Sequence, residues 1–412
     1  MGINEVFELL GGLALFLFGM NVMSHALERF AGNQMKTIFS KLTSNKFKGF
    51  LLGLVVTALI QSSSATTVMV VGFVNSGIMT LSQSVGIIMG ANIGTTVTSW
   101  IVSMSEWGEV LKPEFFAPVL FGIGAFITMF AKSHKKKEGA EVLIGFALLF
   151  IGLSFMSGSI EPCRDAPIFS ESFRVLGQNP LLGILVGLAV TAIIQSSSAS
   201  VGILQMLAIN GMVNWQSAVF ITLGQNIGTC VTAMISAIGA NKGAKRTAFV
   251  HLYFNLIGTI LFLCLFYLGN AIFRFPFTND VVNAADIALV HSIFNVFTTL
   301  VLLPFTKGLE NLAYLTIPKT EDEKKTANDA FVILDDRFLS SPAFAIEQCR
   351  SLVSQMAEMT RDGFLEAMDV LGEYSEEKAQ DVIDKENRVD VYDDKITAYL
   401  TKLSSENLSY KD

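Results

Sequence analysis

Charged residues are scarce in this chain, and two long stretches have none at all. They make up 16% of the 412 residues, whereas hydrophobic residues make up 51%. Residues 49–105 and 175–241 contain no Asp, Glu, Lys or Arg. Soluble domains of this length carry much more charge, so the composition excludes them and indicates a membrane protein.

Cysteine is also rare, and basic residues do not cluster with aromatic ones. The four cysteines are scattered, with a spacing that fits neither a metal site nor a disulfide framework: Cys163, Cys230, Cys264 and Cys349. The weakly acidic balance, a net charge of −7, gives no footprint for a nucleic-acid partner.

The charge that is present is segregated along the chain. Residues 319–412 carry 22 of the 36 acidic residues and 12 of the 29 basic ones. This pattern predicts a transmembrane domain over residues 1–310, a linker over 311–340 and a soluble helical tail over 341–412.

Seven apolar stretches are long enough to predict membrane crossings, with membrane lipid around them. They lie near residues 5–25, 81–104, 116–131, 139–160, 215–237, 247–270 and 286–305. The stretch at 116–131 is the shortest. Two further apolar stretches, 49–78 and 182–212, predict hairpins.

The positions of basic residues predict the orientation. The segments 26–48, 132–138 and 238–246 hold 12 basic residues, whereas the alternate segments 105–115, 161–180 and 271–285 hold four. Basic loops stay in the cytoplasm. We therefore expect the inner membrane, an external N-terminus and a cytoplasmic tail.

An internal repeat is the strongest signal. The nine residues 57–65 (TALIQSSSA) recur at 191–199 (TAIIQSSSA), and 90–98 (GANIGTTVT) recur at 224–232 (GQNIGTCVT), both at an offset of 134. The preceding helices match at an offset of 133, for example Gly12 with Gly145 and Ser24 with Ser157. Two long matches at nearly one spacing indicate duplication.

Orientation and length define how each copy crosses the membrane. The first copy enters from the predicted cytoplasmic side and the second from the outside, so the copies are inverted. Residues 49–105 are too few for three crossings of about 20 residues each. We expect an all-α polytopic protein with two inverted repeats (about 5–131 and 139–270), each with a re-entrant hairpin and a broken helix. The hairpin tips would hold Gln-Ser-Ser-Ser, the crossings would break at Asn-Ile-Gly-Thr, and 286–305 would be an extra helix.

The missing charges restrict the chemistry. A proton-coupled carrier usually needs an intramembrane carboxylate or His, whereas Na⁺ needs only neutral oxygens. Hydroxyls and helix N-termini can hold an anion without Lys or Arg. Simple helix capping remains an alternative for the serines, and a structural kink for Asn-Ile-Gly-Thr. No base accompanies the serines, so an enzyme is not expected.

Two late helices each place a His and an Asn on one face, His251 with Asn255 and His291 with Asn295. Hydrogen bonds between helices are the favoured interpretation of both pairs, ahead of contact with a ligand.

The paired Gln-Ser-Ser-Ser motifs, each followed by Gly-x-Asn-Ile-Gly-Thr, resemble the bacterial branch of the type II sodium/phosphate cotransporter family. The resemblance covers roughly residues 5–310 and implies import of inorganic phosphate with Na⁺. It implies that phosphate contacts the two tips and the asparagines of the second motif: Gln61, Ser62, Ser63, Ser64, Gln195, Ser196, Ser197, Ser198, Asn92 and Asn226. For Na⁺ we expect oxygens of Gln61, Ser64, Thr66, Thr95, Thr96, Gln195, Ser198, Ser200 and Thr229. Cys230 stands where the first copy has Thr96, which removes one hard oxygen from the second copy.

The acidic tail predicts two amphipathic helices. Ser341-Pro342 predicts a helix start, and a second start lies near Ser375. The pair resembles the beginning of a PhoU-like bundle, with too few helices to complete it. We expect a second copy of the chain or a cytoplasmic partner to complete it through 341–412. Glu386 and Asp390 echo a PhoU metal pattern, although a solvated helix face is the favoured interpretation.

Two other functions remain open. One is transport of a different oxyanion, such as sulfate or arsenate. The other is a membrane phosphate sensor that signals through the tail.

Overall fold

The chain folds into α-helices. The structure, a computed structural model, describes residues 3–40, 46–108, 112–163, 167–319, 330–406 and 408. Within these residues there are fifteen α-helices and no β-strand: α1 Ile3–Ser40, α2 Lys46–Ile60, α3 Ser63–Asn75, α4 Leu81–Ser103, α5 Pro113–Phe130, α6 His134–Ile160, α7 Pro167–Gln178, α8 Pro180–Ile194, α9 Ser197–Ile209, α10 Trp215–Ser236, α11 Lys242–Phe273, α12 Ala284–Leu302, α13 Thr306–Thr316, α14 Pro342–Gly372 and α15 Glu376–Leu403.

The helices confirm a polytopic membrane protein. In the described part of the chain, six helices are long and apolar enough to cross a membrane, or seven if α7 and α8, bent by 111°, count as one span. The shortest of the predicted crossings, 116–131, corresponds to α5. The described apolar part of α5 is shorter than these six spans. The extra helix expected at 286–305 is α12.

Corresponding helices of the two copies pack against each other through glycine. A Cβ built on Gly12 would lie 2.9 Å from Gly152 O, and one on Gly19 would lie 2.7 Å from Gly145 O. The reciprocal distances, from a Cβ on Gly152 to Gly12 O and from one on Gly145 to Gly19 O, are 2.6 and 2.7 Å. Because residue numbers rise along α1 while they fall along α6, the two helices are antiparallel. The glycines therefore let corresponding helices cross with their backbones in contact.

Within each copy, a hairpin packs beside a crossing helix. A Cβ on Gly90 would lie 1.9 Å from Phe50 O, and one on Gly94 would lie 2.8 Å from Leu54 O, so α2 and α4 run parallel. The second copy repeats these contacts between α8 and α10, at Gly224 and Gly228. Parallel packing requires the chain to return between α2 and α4, and α3 makes that return. With 15 residues, α2 is about 22 Å long at 1.5 Å per residue, less than the roughly 30 Å of a bilayer core.

The expected break at Asn-Ile-Gly-Thr is wrong. Both α4 and α10 run through it as continuous helices. The side chains of Asn92 and Thr95 bond back to the carbonyls of Ile88 and Ala91, at 2.9 and 3.0 Å. These contacts keep the polar groups satisfied inside the helix. Gly94, which indicated a break in the sequence, serves the close approach of α2.

The tail is attached to the first copy by residues 335–341, which we call the strap. Phe338 is fully buried against Phe73 of α3, with ring centroids 5.3 Å apart. Asn75, at the end of α3, donates to Asp335 at 2.6 Å. Tyr399 of α15 donates to the carbonyl of Asp335 at 2.8 Å, and burial raises the pKa of Tyr399, which keeps its hydroxyl a donor. Part of the expected linker is therefore docked on the membrane domain.

Candidate functional site

Each hairpin tip turns through a glutamine in left-handed conformation. Gln61 has φ of 60° and Gln195 has φ of 58°, and Arg274 is the only other non-glycine residue of the described chain with positive φ. This conformation costs an L-residue roughly 1–2 kcal/mol. Strain of this kind tends to persist at functional sites because the surrounding structure maintains it. The turn ends α2 and α8 one residue before the serines.

The first serine of each motif caps the helix that follows. Ser62 Oγ accepts from the N–H of Ala65, and Ser196 Oγ accepts from the N–H of Ala199, each at 3.2 Å. Helix capping, the alternative that the sequence left open for the serines, is therefore confirmed for these two residues. The first N–H groups of a helix have no partner within it, and the cap uses only one of them. The N-termini of α3 and α9 therefore keep donors and a partial positive charge.

The remaining serines bring the two tips into contact. Ser63 Oγ and Ser197 Oγ lie 3.4 Å apart, and both side chains are buried. Two further contacts repeat across the copies: Ser198 to Thr98 at 3.4 Å, and Thr232 to Ser64 at 3.5 Å. Since Thr98 and Thr232 occupy equivalent positions, the contacts are reciprocal. The two tips meet symmetrically.

A cavity of about 400 Å³ lies over this meeting point. All eight residues predicted from the two Gln-Ser-Ser-Ser motifs line it. Its volume is within the usual range for small-molecule sites. The wall formed by the tips offers neutral donors and acceptors without a charged side chain.

Sequence reasoning missed the opposite wall, which α1 provides. Four polar residues one helical turn apart line the cavity there: Asn21, Ser24, His25 and Glu28. His25 Nδ1 lies 3.9 Å from Glu28 Oε2, and Ser341 of the strap hydrogen-bonds to Glu28. The signal was a polar stripe at i, i+3, i+4 and i+7 in an otherwise apolar helix. The charge-free stretches 49–105 and 175–241 have no acidic residue, but α1 brings one carboxyl group, that of Glu28, to the cavity.

The predicted residues outside the tips do not line this cavity. Thr66 and Ser200 accept hydrogen bonds from Thr57 and Thr191 of the preceding helix, close behind each tip, at 3.1 and 2.8 Å. The others lie along the crossing helices, bonded to carbonyls of their own helix: Asn92, Thr95, Thr96, Asn226 and Thr229. Their expected contact with phosphate or Na⁺ stays a prediction.

The two buried histidines, His251 and His291, differ in their hydrogen bonding. His291 Nδ1 is 2.9 Å from Ser99 Oγ of α4, which confirms the expected bond between helices. Asn295 also bonds across helices, to Asn226 of α10 at 3.2 Å. Neither ring nitrogen of His251 has a hydrogen-bond partner among the described residues.

Two protein-family models match this chain. The family model described as Na⁺/Pi-cotransporter matches residues 15–158 and 167–279, and a PhoU domain model matches residues 353–411. No solved structure matches the chain.

Three relatives show how far the similarity extends. Uncharacterized protein YqeW of Bacillus subtilis is 30% identical over 306 residues, covering 74% of this chain and 96% of that protein. Putative inorganic phosphate export protein YjbB of Salmonella typhimurium is 25% identical, covering 98% of this chain and 72% of that protein. Human sodium-dependent phosphate transport protein 2B is 38% identical over 110 residues, covering 26% of this chain and 16% of that protein. With most of its membrane domain matched, this chain belongs to the Na⁺/Pi-cotransporter family and carries a PhoU domain.

Proposed function

We infer that the chain is a secondary transporter that imports inorganic phosphate with Na⁺, through alternating exposure of the cavity between the two tips. The observation that carries this inference is the contact between Ser63 and Ser197 at the cavity wall. A site at the meeting point of two inverted copies is the plan of many secondary transporters.

The tips suit a small tetrahedral oxyanion. At 3.4 Å apart, the hydroxyls of Ser63 and Ser197 can both donate to one oxygen of a ligand. The N-termini of α3 and α9 add N–H groups and favourable dipoles. Donors of this kind hold an anion without Lys or Arg, so the anion need not displace a salt bridge.

Neutral oxygens and one carboxylate suit Na⁺. The Gln61, Ser64, Gln195 and Ser198 side chains line the cavity as predicted ligands, and Glu28 of α1 adds a carboxyl group. A carboxylate beside an anion site is repulsive unless a cation lies between them. Binding of phosphate and Na⁺ would therefore be mutually favourable.

The same proposal covers the placement in the membrane. We infer that the hairpins are re-entrant because α2 is too short to cross. The polar stripe of α1 leads toward the basic segment 26–48, so the cavity faces the cytoplasm of a cell with the protein in its inner membrane. The strap and tail lie on that same side.

Export is the second candidate, because the relative that aligns with 98% of this chain is named a putative phosphate export protein. Import is favoured on physical grounds, since coupling to an inward Na⁺ gradient drives phosphate inward. Cells preloaded with labelled phosphate distinguish the two: an exporter accelerates loss of label, whereas an importer accelerates net uptake.

Uptake of labelled phosphate into proteoliposomes tests the coupling. We expect uptake with an inward Na⁺ gradient and at least ten-fold less when K⁺ or choline replaces Na⁺. Equal uptake in all three would contradict Na⁺ coupling. Competition by sulfate and arsenate then defines the oxyanion.

A further inference from the structure

A second polar cluster lies away from the cavity, enclosed by α10, α11 and α12. It contains three asparagines, one from each helix: Asn226, Asn255 and Asn295, which are 4%, 0% and 0% exposed. None of them lines the cavity at the hairpin tips. Asparagine is rarely buried, and in membrane-spanning helices buried polar residues mark function more often than chance.

Three contacts join the helices that carry these residues. Asn295 donates to Asn226 Oδ1 at 3.2 Å, joining α12 to α10. Asn255 donates to Cys230 Sγ at 3.3 Å, joining α11 to α10. A Cβ built on Gly258 would lie 2.7 Å from Thr298 Oγ1, so α11 and α12 meet there as well. The three helices therefore form a closed triangle around the cluster.

The hydrogen bonds of the three amides engage their nitrogen atoms. Asn226, Asn255 and Asn295 each donate Nδ2 to the carbonyl four residues earlier in their own helix, at 2.8, 3.1 and 2.8 Å. With the nitrogen committed to the helix, the oxygen points away from it. The Oδ1 atoms of Asn255 and Asn295 have no hydrogen-bond partner among the described residues.

Threonine hydroxyls of the same three helices are also without partners. Thr222 Oγ1, Thr259 Oγ1 and Thr298 Oγ1 are buried and bond to no described residue. A buried oxygen left without a hydrogen bond is destabilising, and several on neighbouring helices are rare in a native protein. The amide oxygens of Asn255 and Asn295 can only accept, and the hydroxyl oxygens of Thr259 and Thr298 have free lone pairs, so all four can coordinate a cation.

The chemistry of these oxygens selects the cation. Amide and hydroxyl oxygens are hard ligands, which favour Na⁺ or another hard cation over a transition metal. Among the described residues, no group of three or more His, Cys, Asp or Glu side chains is arranged so that it could hold a metal ion. Without carboxylates, the charge of a divalent ion would be left uncompensated. We propose that Asn255, Asn295, Thr259 and Thr298 form a binding site for a monovalent hard cation, Na⁺, separate from the phosphate cavity.

This site extends the proposed Na⁺ coupling and rests on it only for its role in transport. Cys230 removed a hard oxygen from α10 at this level, as the sequence indicated. The structure shows the neighbouring oxygens coming from α11 and α12 instead. The cluster contacts α10, whose Thr232 touches Ser64 of the opposite tip at 3.5 Å. A cation here would therefore stabilise the helix against which the tip packs.

The test uses substitutions that remove one oxygen and keep the shape: Thr259→Val and Thr298→Val. Thr247→Val is the matched control, because Thr247 is also a buried threonine of α11 and lies 12 residues, about 18 Å, before Thr259. Binding of radioactive Na⁺ to the purified full-length protein is measured without phosphate. The Na⁺ dependence of phosphate uptake is measured on the same preparations.

We expect each cluster variant to need at least five-fold more Na⁺ for half-maximal binding, while Thr247→Val binds as the unchanged protein does. A cluster filled by water alone would give equal Na⁺ binding in all four proteins, which would overturn the proposal. The proposed function fails separately, if the unchanged protein takes up phosphate without Na⁺. In that case the binding measurement still decides whether the cation site exists.

Discussion

Ser63 and Ser197, 134 residues apart in sequence, place their hydroxyl oxygens 3.4 Å from each other. The pair lies at the point where two equivalent hairpins meet, so each serine occupies the same environment from the opposite copy. A single substitution therefore changes one of two equivalent positions in the cavity wall.

Replacing either serine by alanine tests the anion site. We expect Ser63→Ala and Ser197→Ala each to reduce phosphate uptake at least ten-fold, because each removes a hydroxyl donor from the point where the two tips meet. Ser159→Ala is the control, since Ser159 is buried but bonds only within α6. Normal uptake by both tip variants, with normal expression, would rule out this wall as the phosphate site.

The glutamines at the tips separate backbone strain from side-chain chemistry. Gln195→Gly relieves the left-handed conformation, whereas Gln195→Ala keeps the strain and loses the same side chain. We expect the glycine variant to be more stable than the alanine variant by about 1 kcal/mol, while both lose transport. Thermal unfolding in detergent measures the first effect and proteoliposome uptake the second. Equal stability would show that the turn relaxes in solution.

The glycine contacts inside each copy predict that a larger residue at these positions disrupts helix packing. Gly224→Ala would place a methyl group 2.0 Å from Ile184 O, which forces α8 and α10 apart. We expect a large loss of folded protein in size-exclusion chromatography. Gly122→Ala, on the open face of α5 with nothing within 4 Å, should be neutral or slightly stabilising because alanine favours helix. Matching profiles for the two would contradict the close approach.

The strap predicts how the tail is held. Phe338→Ala removes a fully buried ring from between α3 and α14, a change that typically costs about 3–5 kcal/mol in a core. We expect faster hydrogen exchange in residues 335–349 with little change in α6. Phe364→Ala, at a position 65% exposed, serves as the control. If transport persists after the strap loosens, the tail is not needed for flux, which argues against a pure sensor.

Of the equivalent helices α1 and α6, only α1 contributes described residues to the cavity lining. Ser154 corresponds to Asn21, and Ser157, which corresponds to Ser24, is instead bonded to Asn210 at 2.9 Å. Alternating exposure predicts a second conformation in which the α6 face lines the cavity. With other exposed cysteines removed, Ser24→Cys should react with a membrane-impermeant thiol reagent from the cytoplasmic side, and Ser154→Cys from the outer side. Labelling of both from one side would exclude inverted copies.

The hairpin tips were predictable because their signal is local and repeated. Gln61 to Ser64 sit at the end of an apolar run too short to cross, and the same run recurs 134 residues later. The continuity of α4 and α10 was not predictable in this way. Gly94 and Asn92 look like a break when only neighbours in sequence are considered, but Gly94 is needed for contact with α2.

The remaining parts of the site depend on distant segments. Glu28 lies outside the repeated motifs, and only packing brings it to the tips. Ser341 was predicted to start α14, and it does occupy that position. However, its side chain makes no cap hydrogen bond and bonds to Glu28 instead. Such a choice between two partners is decided by tertiary structure.

The glycine contacts between α1 and α6 also limit how this protein can change through mutation. At Gly12, Gly19, Gly145 and Gly152 the spacing between the two halves is determined by main-chain atoms, which every residue possesses. Substitutions on the outward surfaces of these helices are therefore tolerated. Each of the four glycine positions, in contrast, must keep the smallest residue. Any lineage that loses one of them must change the distance between its two halves.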